Sequence, residues 1–308
     1  MVDLSGFRSL SEMAAVYSTD QACKECLSRA RWGEDVICPY CGHHHCHRSG
    51  KRYSCPNCQN KFSVTVGTIF QNSKIGLRKW FMAIYLISYH KKGVSSCQLS
   101  RDLSVTQKTA WYMLSKLRRL LVQKECKLGG SVEMDECYLG GKVFFMHRSR
   151  KKGKKFAGAV GKAPVFGIIR RGRQTTVRAW MLPKLEKKSI LDHIQETVRQ
   201  GSKVFTDESS FYDGLSTIGY SHYICNHALD AYCWGKIVHT NSIEGFWAHL
   251  RKIYATYHKI SKDHLQHYID EAVFRWNNRS RKGDQVFNQI FRRCLVVVTC
   301  QDIRSSHT

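Results

Sequence analysis

The feature that most constrains this chain is a double pair of cysteines near its amino terminus. Cys38 and Cys41 flank a Pro-Tyr dipeptide, and after thirteen intervening residues Cys55 and Cys58 flank Pro-Asn. Each CxxC turn can aim two thiolates at one ion at about 2.3 Å, so the four together suit a tetrahedral, structural Zn²⁺. So short a segment has too small a core to fold unaided, and metal binding would supply much of its stability. The spacing predicts a zinc ribbon.

Two further groups of possible ligands lie near these pairs. The run His43-His44-His45-Cys46-His47 separates them and could exchange into the metal shell. Cys23 and Cys26 form a third CxxC, but they lie in a helical pattern without a partner pair, which favours a packing role. The start of the chain shows no basic segment followed by an apolar run, so reduced thiols and metal ligation are expected rather than disulfides.

The net charge of the chain indicates what kind of molecule it binds. Lys and Arg number 49 against 24 Asp and Glu, a formal balance of +25 that is spread over nearly the whole chain. Such a field favours a polyanion, and nucleic acid is the leading candidate. The most apolar helical stretch, Phe81–Ile87, is far shorter than the ~20 residues that a membrane span needs. We expect a protein that is neither secreted nor membrane-bound, with a cytoplasmic, nucleoid-associated location.

A helix-turn-helix is predicted ahead of the middle of the chain. Ser96–Leu103 is typical of a short helix, and a tight turn at 103–105 precedes a second helix. Thr106, Gln107 and Lys108 open that second helix, the position from which recognition helices contact bases and phosphates. A helical hairpin that serves only packing is the alternative. Neighbouring lysines and arginines favour DNA.

From about residue 130 the pattern changes to strands and then alternates with helices. The order βββαβ, followed by a further strand and two helices, is that of an RNase H-like mixed sheet. The predicted strands are 131–139, 165–169, 175–181, 203–206 and 220–225, and the predicted helices are 187–199, 241–255 and 262–277.

The chain is therefore expected to be a multi-domain α+β protein. It would combine an N-terminal zinc ribbon, a helical helix-turn-helix region and an RNase H-like α/β catalytic domain with a mixed sheet. The expected boundaries are 1–70 for the first helix and the ribbon, 71–126 for the helix-turn-helix region, 127–285 for the catalytic domain and 286–308 for a C-terminal tail.

Three acidic residues carry the chemistry of the last domain. Asp135 alternates with Val132 and Met134 along a strand, Asp207 follows a second short strand, and Glu244 opens a helix. Phosphodiester chemistry uses such a cluster to hold two divalent ions about 3.5–4 Å apart. Carboxylates are hard oxygen ligands suited to Mg²⁺ or Mn²⁺. Glu133, Glu136 and Glu208 could assist, although Glu136 and Glu208 alternate away from the expected ligand face.

At these residues the chain resembles insertion-sequence DDE transposases with an N-terminal zinc ribbon, the ISXO2-like group related to Merlin transposons. The resemblance rests on Asp135–Lys142, on Thr206-Asp207 and on the stretch from His239 through Tyr257-His258 to Phe274–Arg279, and it covers about residues 8–280. It implies that Asp135, Asp207 and Glu244 form the metal-binding triad.

The resemblance also implies roles for the residues around the third acid. A base usually follows that acid by seven positions, and Arg251 stands there with Lys252 beside it, placed to hold a phosphate. Some members have Asn or His as the third ligand, which leaves Asn241 as a competitor of Glu244. A basic loop after the first catalytic strand could clamp DNA phosphates. It contains Lys142, Arg150, Lys151, Lys152 and Lys154.

The implied activity is cleavage at transposon ends by metal-activated water, followed by transfer of the freed 3′-hydroxyl into target DNA. The partners would be double-stranded DNA, as terminal inverted repeats and as target, and a second copy of the chain in a homodimer or larger synaptic complex. Two alternatives stay open. One is a non-catalytic DNA-binding regulator descended from a transposase, and the other is an RNase H-like nuclease that cuts without joining.

Overall fold

The computed structural model describes residues 7, 9–123, 126–140, 161–225, 240–258 and 260–295. Two compact units make up the chain, one of Met1–Leu120 with Arg281–Thr308 and the other of Leu121–Ser280. Over the described ranges, every helix is too short or too polar to cross a membrane.

The first unit is helical apart from a small antiparallel sheet of order β1-β2-β3. Its last helix falls in the sequence after the second unit, so the boundary expected between residues 285 and 286 lies inside that helix. The elements are α1 Leu10–Val16, α2 Asp20–Trp32, β1 His47–Ser49, β2 Arg52–Ser54, β3 Lys61–Phe62, α3 Leu77–Tyr89, α4 Ser96–Leu103, α5 Gln107–Arg119 and, after the second unit, α9 Gly283–Leu295.

Helix α3 is the centre of this unit. Trp80, Phe81 and Ile84 are fully buried, in agreement with the helical spacing of apolar residues in the sequence. The Phe81 ring meets Phe291 of α9 edge-on, with the centroids 5.0 Å apart. Tyr17 packs on the other side of Phe81 at 4.8 Å. Aromatic packing of this kind adds about 0.5–1.5 kcal/mol per pair to the burial of apolar area.

The second unit is built on a mixed sheet of strand order β6-β5-β4-β7-β8. β4, β5 and β6 are antiparallel neighbours, whereas β4, β7 and β8 are parallel. Strands and helices occur where the sequence predicts them, and the mixed sheet is confirmed. The elements are β4 Ser131–Leu139, β5 Ala163–Arg170, β6 Thr176–Met181, α6 Lys187–Thr197, β7 Lys203–Thr206, β8 Ser221–Ile224, α7 Asn241–Thr256 and α8 Lys262–Asn277.

Strand β4 contributes to two hydrophobic cores, one on each face of the sheet. Val132 and Met134 pack in a core with Ile190 of α6. Cys137 lies in the other core, with Ile243 of α7 and residues of α8. Side chains of a strand alternate between its faces, so helices on both sides are needed to bury this strand completely. The central position of β4 fixes where its acidic residues lie.

The outer edge of β6 is covered by two amide side chains of α8. Asn277 accepts a hydrogen bond from Val177 N–H (2.8 Å) and donates one to the Val177 carbonyl (3.1 Å). Gln266 likewise accepts from Met181 N–H (2.8 Å) and donates to Ala179 O (3.2 Å). An edge strand otherwise presents unpaired backbone groups that template aggregation. The amides take the place of a neighbouring strand.

Candidate functional sites: a cysteine cluster and an acidic cluster

The four cysteines of the two CxxC turns converge in the first unit, where their sulfur atoms lie within 4.8 Å of one another. The Sγ atoms of Cys38 and Cys58 are 3.6 Å apart, as are those of Cys41 and Cys55. A tetrahedral ion with Zn–S bonds of about 2.3 Å separates its sulfurs by about 3.8 Å. The thiols are therefore spaced as one Zn²⁺ requires.

The two turns have the same backbone design. Gly42 N–H donates to Cys38 O and Gln59 N–H donates to Cys55 O, each at 3.0 Å, and both donors have positive φ, 72° and 59°. Burial opposes ionisation of Cys55, but the backbone N–H of Cys58 is the largest of several hydrogen bonds that outweigh it and lower the pKa to about 6. A thiolate is the metal-binding form.

Of the other candidate ligands, Cys46 is buried in the same small core as Cys38 and Cys55, and its thiol donates to the His43 carbonyl at 3.6 Å. His44 and His45 both contact the Asp35 carboxylate. In α2, Cys23 is fully buried and Cys26 lies 3.4 Å from the Tyr17 hydroxyl, which confirms the packing role expected for this pair. Among the described residues, the only sulfur cluster with metal-ligand spacing is the one that the sequence predicted: Cys38, Cys41, Cys55 and Cys58.

An acidic cluster lies in the second unit. Carboxylate oxygens of Asp135, Glu136 and Asp207 lie within 4.8 Å of one another, and all three residues are half-buried. Asp207 directly follows β7, and β7 runs parallel to β4 with Glu133 opposite Phe205. This register brings Asp207 level with Asp135 on the neighbouring strand, so two of the three expected acids meet.

Glu136 belongs to this cluster even though its side chain alternates, as expected, away from the face that carries Asp135. Strand alternation does send its side chain toward the α6 side, where the buried Tyr212 hydroxyl donates to it at 2.6 Å. From there its carboxylate still reaches Asp207. Burial, followed by the nearby charges of Asp207 and Asp135, raises the pKa of Glu136 to about 7. Glu208 is exposed and outside the cluster.

Asp135 is held from two sides. Trp247 Nε1 of α7 donates to its Oδ2 and the Glu136 N–H donates to its Oδ1, both at 2.8 Å. Gly167 stands opposite Asp135 on β5, and a Cβ there would lie only 2.5 Å from the Trp247 ring. The indole reaches Asp135 because position 167 is glycine.

Helix α7 carries the remaining catalytic candidates on exposed positions. Glu244 lies in the first turn, and its charge contributes, after burial and Asp207, to raising the pKa of Asp135. Asn241 is the first residue of the helix and is also exposed. At about 100° per residue, Glu244 and Arg251 share a face, whereas Lys252 and Asn241 share the next face round. Both Glu244 and Asn241 therefore stay candidates for the third ligand, with Glu244 the one whose charge acts on Asp135.

Arg251 of α7 acts on Cys137 of β4. Burial raises the pKa of the Cys137 thiol to about 12, and the Arg251 charge is the largest influence that lowers it. Cys137 is two residues beyond Asp135 on the same face of the strand, so the Arg251 charge acts on the face of β4 that carries Asp135.

The start of α7 is anchored to β4 by a buried carboxylate. Glu133 has no exposed surface, pairs with Arg171 Nε at 2.7 Å and accepts the Ile243 N–H at 2.9 Å. The Thr240 side chain does not cap the helix, so Glu133 satisfies one of its free N–H groups. The sequence pattern predicts for Glu133 only a possible role as a metal ligand, whereas the structure pairs it with Arg171. Its position on the buried face of a strand, with a run of arginines at the next hairpin, was the available sign of an ion pair.

The DNA-binding candidates of the first unit lie at the start of α5. Ser104, at φ 49°, makes the turn between α4 and α5. Thr106 accepts the Thr109 N–H at 3.2 Å as the helix cap, and Gln107 Nε2 donates to Ser96 Oγ at 2.7 Å. Lys108 is exposed. The basic-loop candidates Lys142, Arg150, Lys151, Lys152 and Lys154 lie outside the described residues.

Comparison with known proteins shows that the chain is similar to insertion-sequence transposases. Residues 127–277, which comprise the mixed sheet with α6, α7 and α8, match the family described as ISXO2-like transposase domain.

Two relatives extend the match. An "Uncharacterized protein in transposable element ISH50" of Halobacterium salinarum is 29% identical over 287 residues, which cover 87% of this chain and 95% of the relative. An "Uncharacterized transposase-like protein" of Haemophilus influenzae is 28% identical over 117 residues, which cover 38% of this chain and 94% of the relative.

Proposed function

We propose that this chain is a DDE transposase that cleaves DNA at transposon ends and transfers the freed 3′-hydroxyl into target DNA. The observation that carries the proposal is the convergence of Asp135, Glu136 and Asp207 on adjacent parallel strands, with Glu244 on the neighbouring helix, inside a transposase-family domain. Its catalytic domain would be RNase H-like.

The acids suit Mg²⁺ or Mn²⁺, because carboxylate oxygens are the hard ligands that these ions prefer. Asp135 and Asp207 would be shared ligands, Glu244 the third, and Glu136 an additional acid held by Tyr212. When bound, a pair of such ions activates the attacking oxygen and stabilises the leaving oxygen of a phosphodiester.

The protein's own groups would orient these acids and the DNA. Trp247 fixes the Asp135 carboxylate, so that less motion has to be frozen when the site is filled. Arg251 and Lys252, exposed on α7, would hold phosphates on either side of the scissile bond.

The first unit would supply DNA recognition. The cysteine cluster would bind Zn²⁺ as a structural ion, and α4 and α5 would act as a helix-turn-helix, with Thr106, Gln107 and Lys108 directed toward terminal inverted repeats. Two ends must be brought together for transposition, so the working form would be a homodimer or larger synaptic complex on nucleoid DNA.

A strand-transfer assay tests the proposal. The full chain would be incubated with Mg²⁺ or Mn²⁺, labelled duplex carrying the element's own end, and a supercoiled target plasmid. We expect joined products that disappear with Asp135→Asn and persist with Glu208→Gln, an exposed acid outside the cluster. Cleavage without joining would instead identify a nuclease. DNA binding alone, unchanged by either substitution, would identify a regulator and refute the enzyme.

A further inference from the structure

A groove with unbalanced positive charge crosses the second unit at the edge of the sheet where β4 and β7 start. Three adjoining cavities of about 500, 290 and 980 Å³ form it. The first two share Lys127 and Arg199, and the last two share Gly129 and Arg170, so the depression is continuous. This basic groove is defined by four cationic side chains: Lys127, Arg170, Arg173 and Arg199.

The groove passes the ends of all five described strands of the sheet. It reaches from Gln174, just before β6, to Tyr220, just before β8. Four inter-strand spacings of about 4.8 Å make this distance about 19 Å. Successive phosphates of one DNA strand advance about 3.4 Å along the duplex axis, so the groove is long enough for about five or six of them.

The positive charge of the groove has no internal counter-charge. Arg170, Arg173 and Arg199 are exposed and form no ion pair with any residue that the structure describes. None of the described residues that line these three cavities is acidic, and the groove ends at the cavity beyond Lys127 and Gln195, whose lining includes Asp192, Glu196 and Asp270. Arg171 also lines the groove, but its charge is taken up by Glu133. Cations clustered without partners attract a polyanion from solution.

The lining favours the backbone of a duplex over a single strand. Single-strand sites stack unpaired bases on exposed aromatic rings. The aromatic residue of this lining, Tyr220, is only 4% exposed, and its hydroxyl donates to the Val198 carbonyl at 3.3 Å. The remaining lining is made of cations, glutamine, serine and glycine. At Gly130 even an added Cβ would meet open space, so a phosphate can approach the backbone closely.

The groove lies at the start of β4 and β7, whereas the acidic cluster lies at the middle of β4 and just after the end of β7. Asp135 is four residues along β4 from Ser131 at the groove, about 13 Å, and Asp207 follows the far end of β7. Bending 20–30 base pairs of duplex by only 40–90° already costs about 1–6 kcal/mol. A straight duplex that follows the groove runs across the starts of the strands, and it would have to bend around the sheet to enter the acidic cluster as well.

We propose that the basic groove binds the phosphate backbone of a second DNA duplex, other than the one held at the acidic cluster. That the groove binds duplex DNA follows from its charge and lining alone. That this duplex is the second of two rests on the proposed function.

Binding is tested with the full chain carrying Asp135→Asn, saturated with a short duplex of the element's own end. A labelled random-sequence duplex of about 20 base pairs is then titrated at several salt concentrations. Log K falls linearly with log salt, and each lost phosphate contact makes this dependence shallower by about 0.9. Replacing Arg170, Arg173 and Arg199 by Ala should therefore reduce the magnitude of the slope by about 2–3. The matched triple Lys variant keeps the charge and should keep the slope.

An unchanged slope and affinity in the Ala variant would overturn the proposal. Equal losses in the Ala and Lys variants would assign the arginines a structural role and would also overturn it. If the Ala variant loses more affinity for a single strand than for a duplex of the same length, the ligand of the groove is not duplex DNA.

A second readout separates this proposal from the proposed function. With Asp135 intact, the triple Ala variant should still cleave the short end duplex but join it to plasmid at least tenfold less efficiently. If the unsubstituted chain neither cleaves nor joins, the proposed function fails, while the salt titration still decides whether the groove binds duplex DNA. Unimpaired joining in the Ala variant would refute the role of the groove in holding the second duplex.

Discussion

Replacing Glu133 by Gln tests whether the start of α7 depends on the buried ion pair. The amide keeps the volume and an acceptor for the Ile243 N–H, but the Arg171 guanidinium loses the negative charge of Glu133. Removing one member of a buried pair typically costs about 3–5 kcal/mol. Arg171 keeps the Phe205 ring at 3.8 Å and some solvent contact, with 15% of its side chain exposed, so we expect a loss of about 3 kcal/mol.

The assay combines urea unfolding of the full chain with hydrogen exchange followed by mass spectrometry. If the lost stability is local, amides at the start of α7 should exchange about 100-fold faster than in the unsubstituted chain. The exposed Glu208→Gln removes the same charge and should change stability by less than about 0.5 kcal/mol.

A second variant checks the cause. Replacing both Glu133 and Arg171 by Met removes both charges of the pair. Apolar replacement of a buried ion pair is often neutral, so the double variant should regain most of the stability that Glu133→Gln loses. The carboxylate does not anchor the helix if the free energy of unfolding of Glu133→Gln lies within about 0.5 kcal/mol of that of the unsubstituted chain and the amides of α7 exchange at the same rate.

Three further outcomes follow from the structure. Gly167→Ala should displace Trp247 and weaken Mn²⁺ binding, as measured by calorimetry. In Gly245→Ala the new Cβ has ordinary van der Waals space in a helix, so this variant should stabilise the protein by up to about 1 kcal/mol. Equal effects of the two variants on Mn²⁺ binding and stability would contradict the close packing at Gly167. Cys41→Ser should release zinc, as measured by a chromogenic chelator, and unfold the ribbon; stoichiometric zinc in the variant would refute this ligand. Because burial raises the pKa of Glu136 from 4.5 to about 7, the metal-free folded state keeps a proton that the unfolded state loses between these values. This carboxyl should therefore contribute a fall in stability of up to about 3 kcal/mol as pH rises from 4.5 to 7, and Glu136→Gln should remove that contribution; parallel pH profiles in thermal unfolding would contradict it.

Much of the fold could be predicted because each element has a local signal. The strand 203–206 and the helix near 187–199 were found from periodicity alone, and the first strand, Ser131–Leu139, was found with its observed limits. The cysteine cluster could be predicted from even less sequence information, because four residues in two short turns set its geometry. The role of Asn277 was not predictable, because nothing local shows that its amide faces the edge of β6, one hundred residues earlier.

The sequence by itself determined the cysteine cluster, the order of strands and helices, and the placement of Asp135 on one strand and of Asp207 after another. Only the tertiary structure decided that Glu136 joins them, that Glu133 pairs with Arg171 instead of a metal, and that Trp247 reaches Asp135 across Gly167. Periodicity gives the face on which a side chain lies, because it depends on neighbours along the chain. Whether a carboxylate on that face meets another acid, an arginine or a helix end depends on contacts between residues far apart in the chain, and those are fixed only when the elements pack.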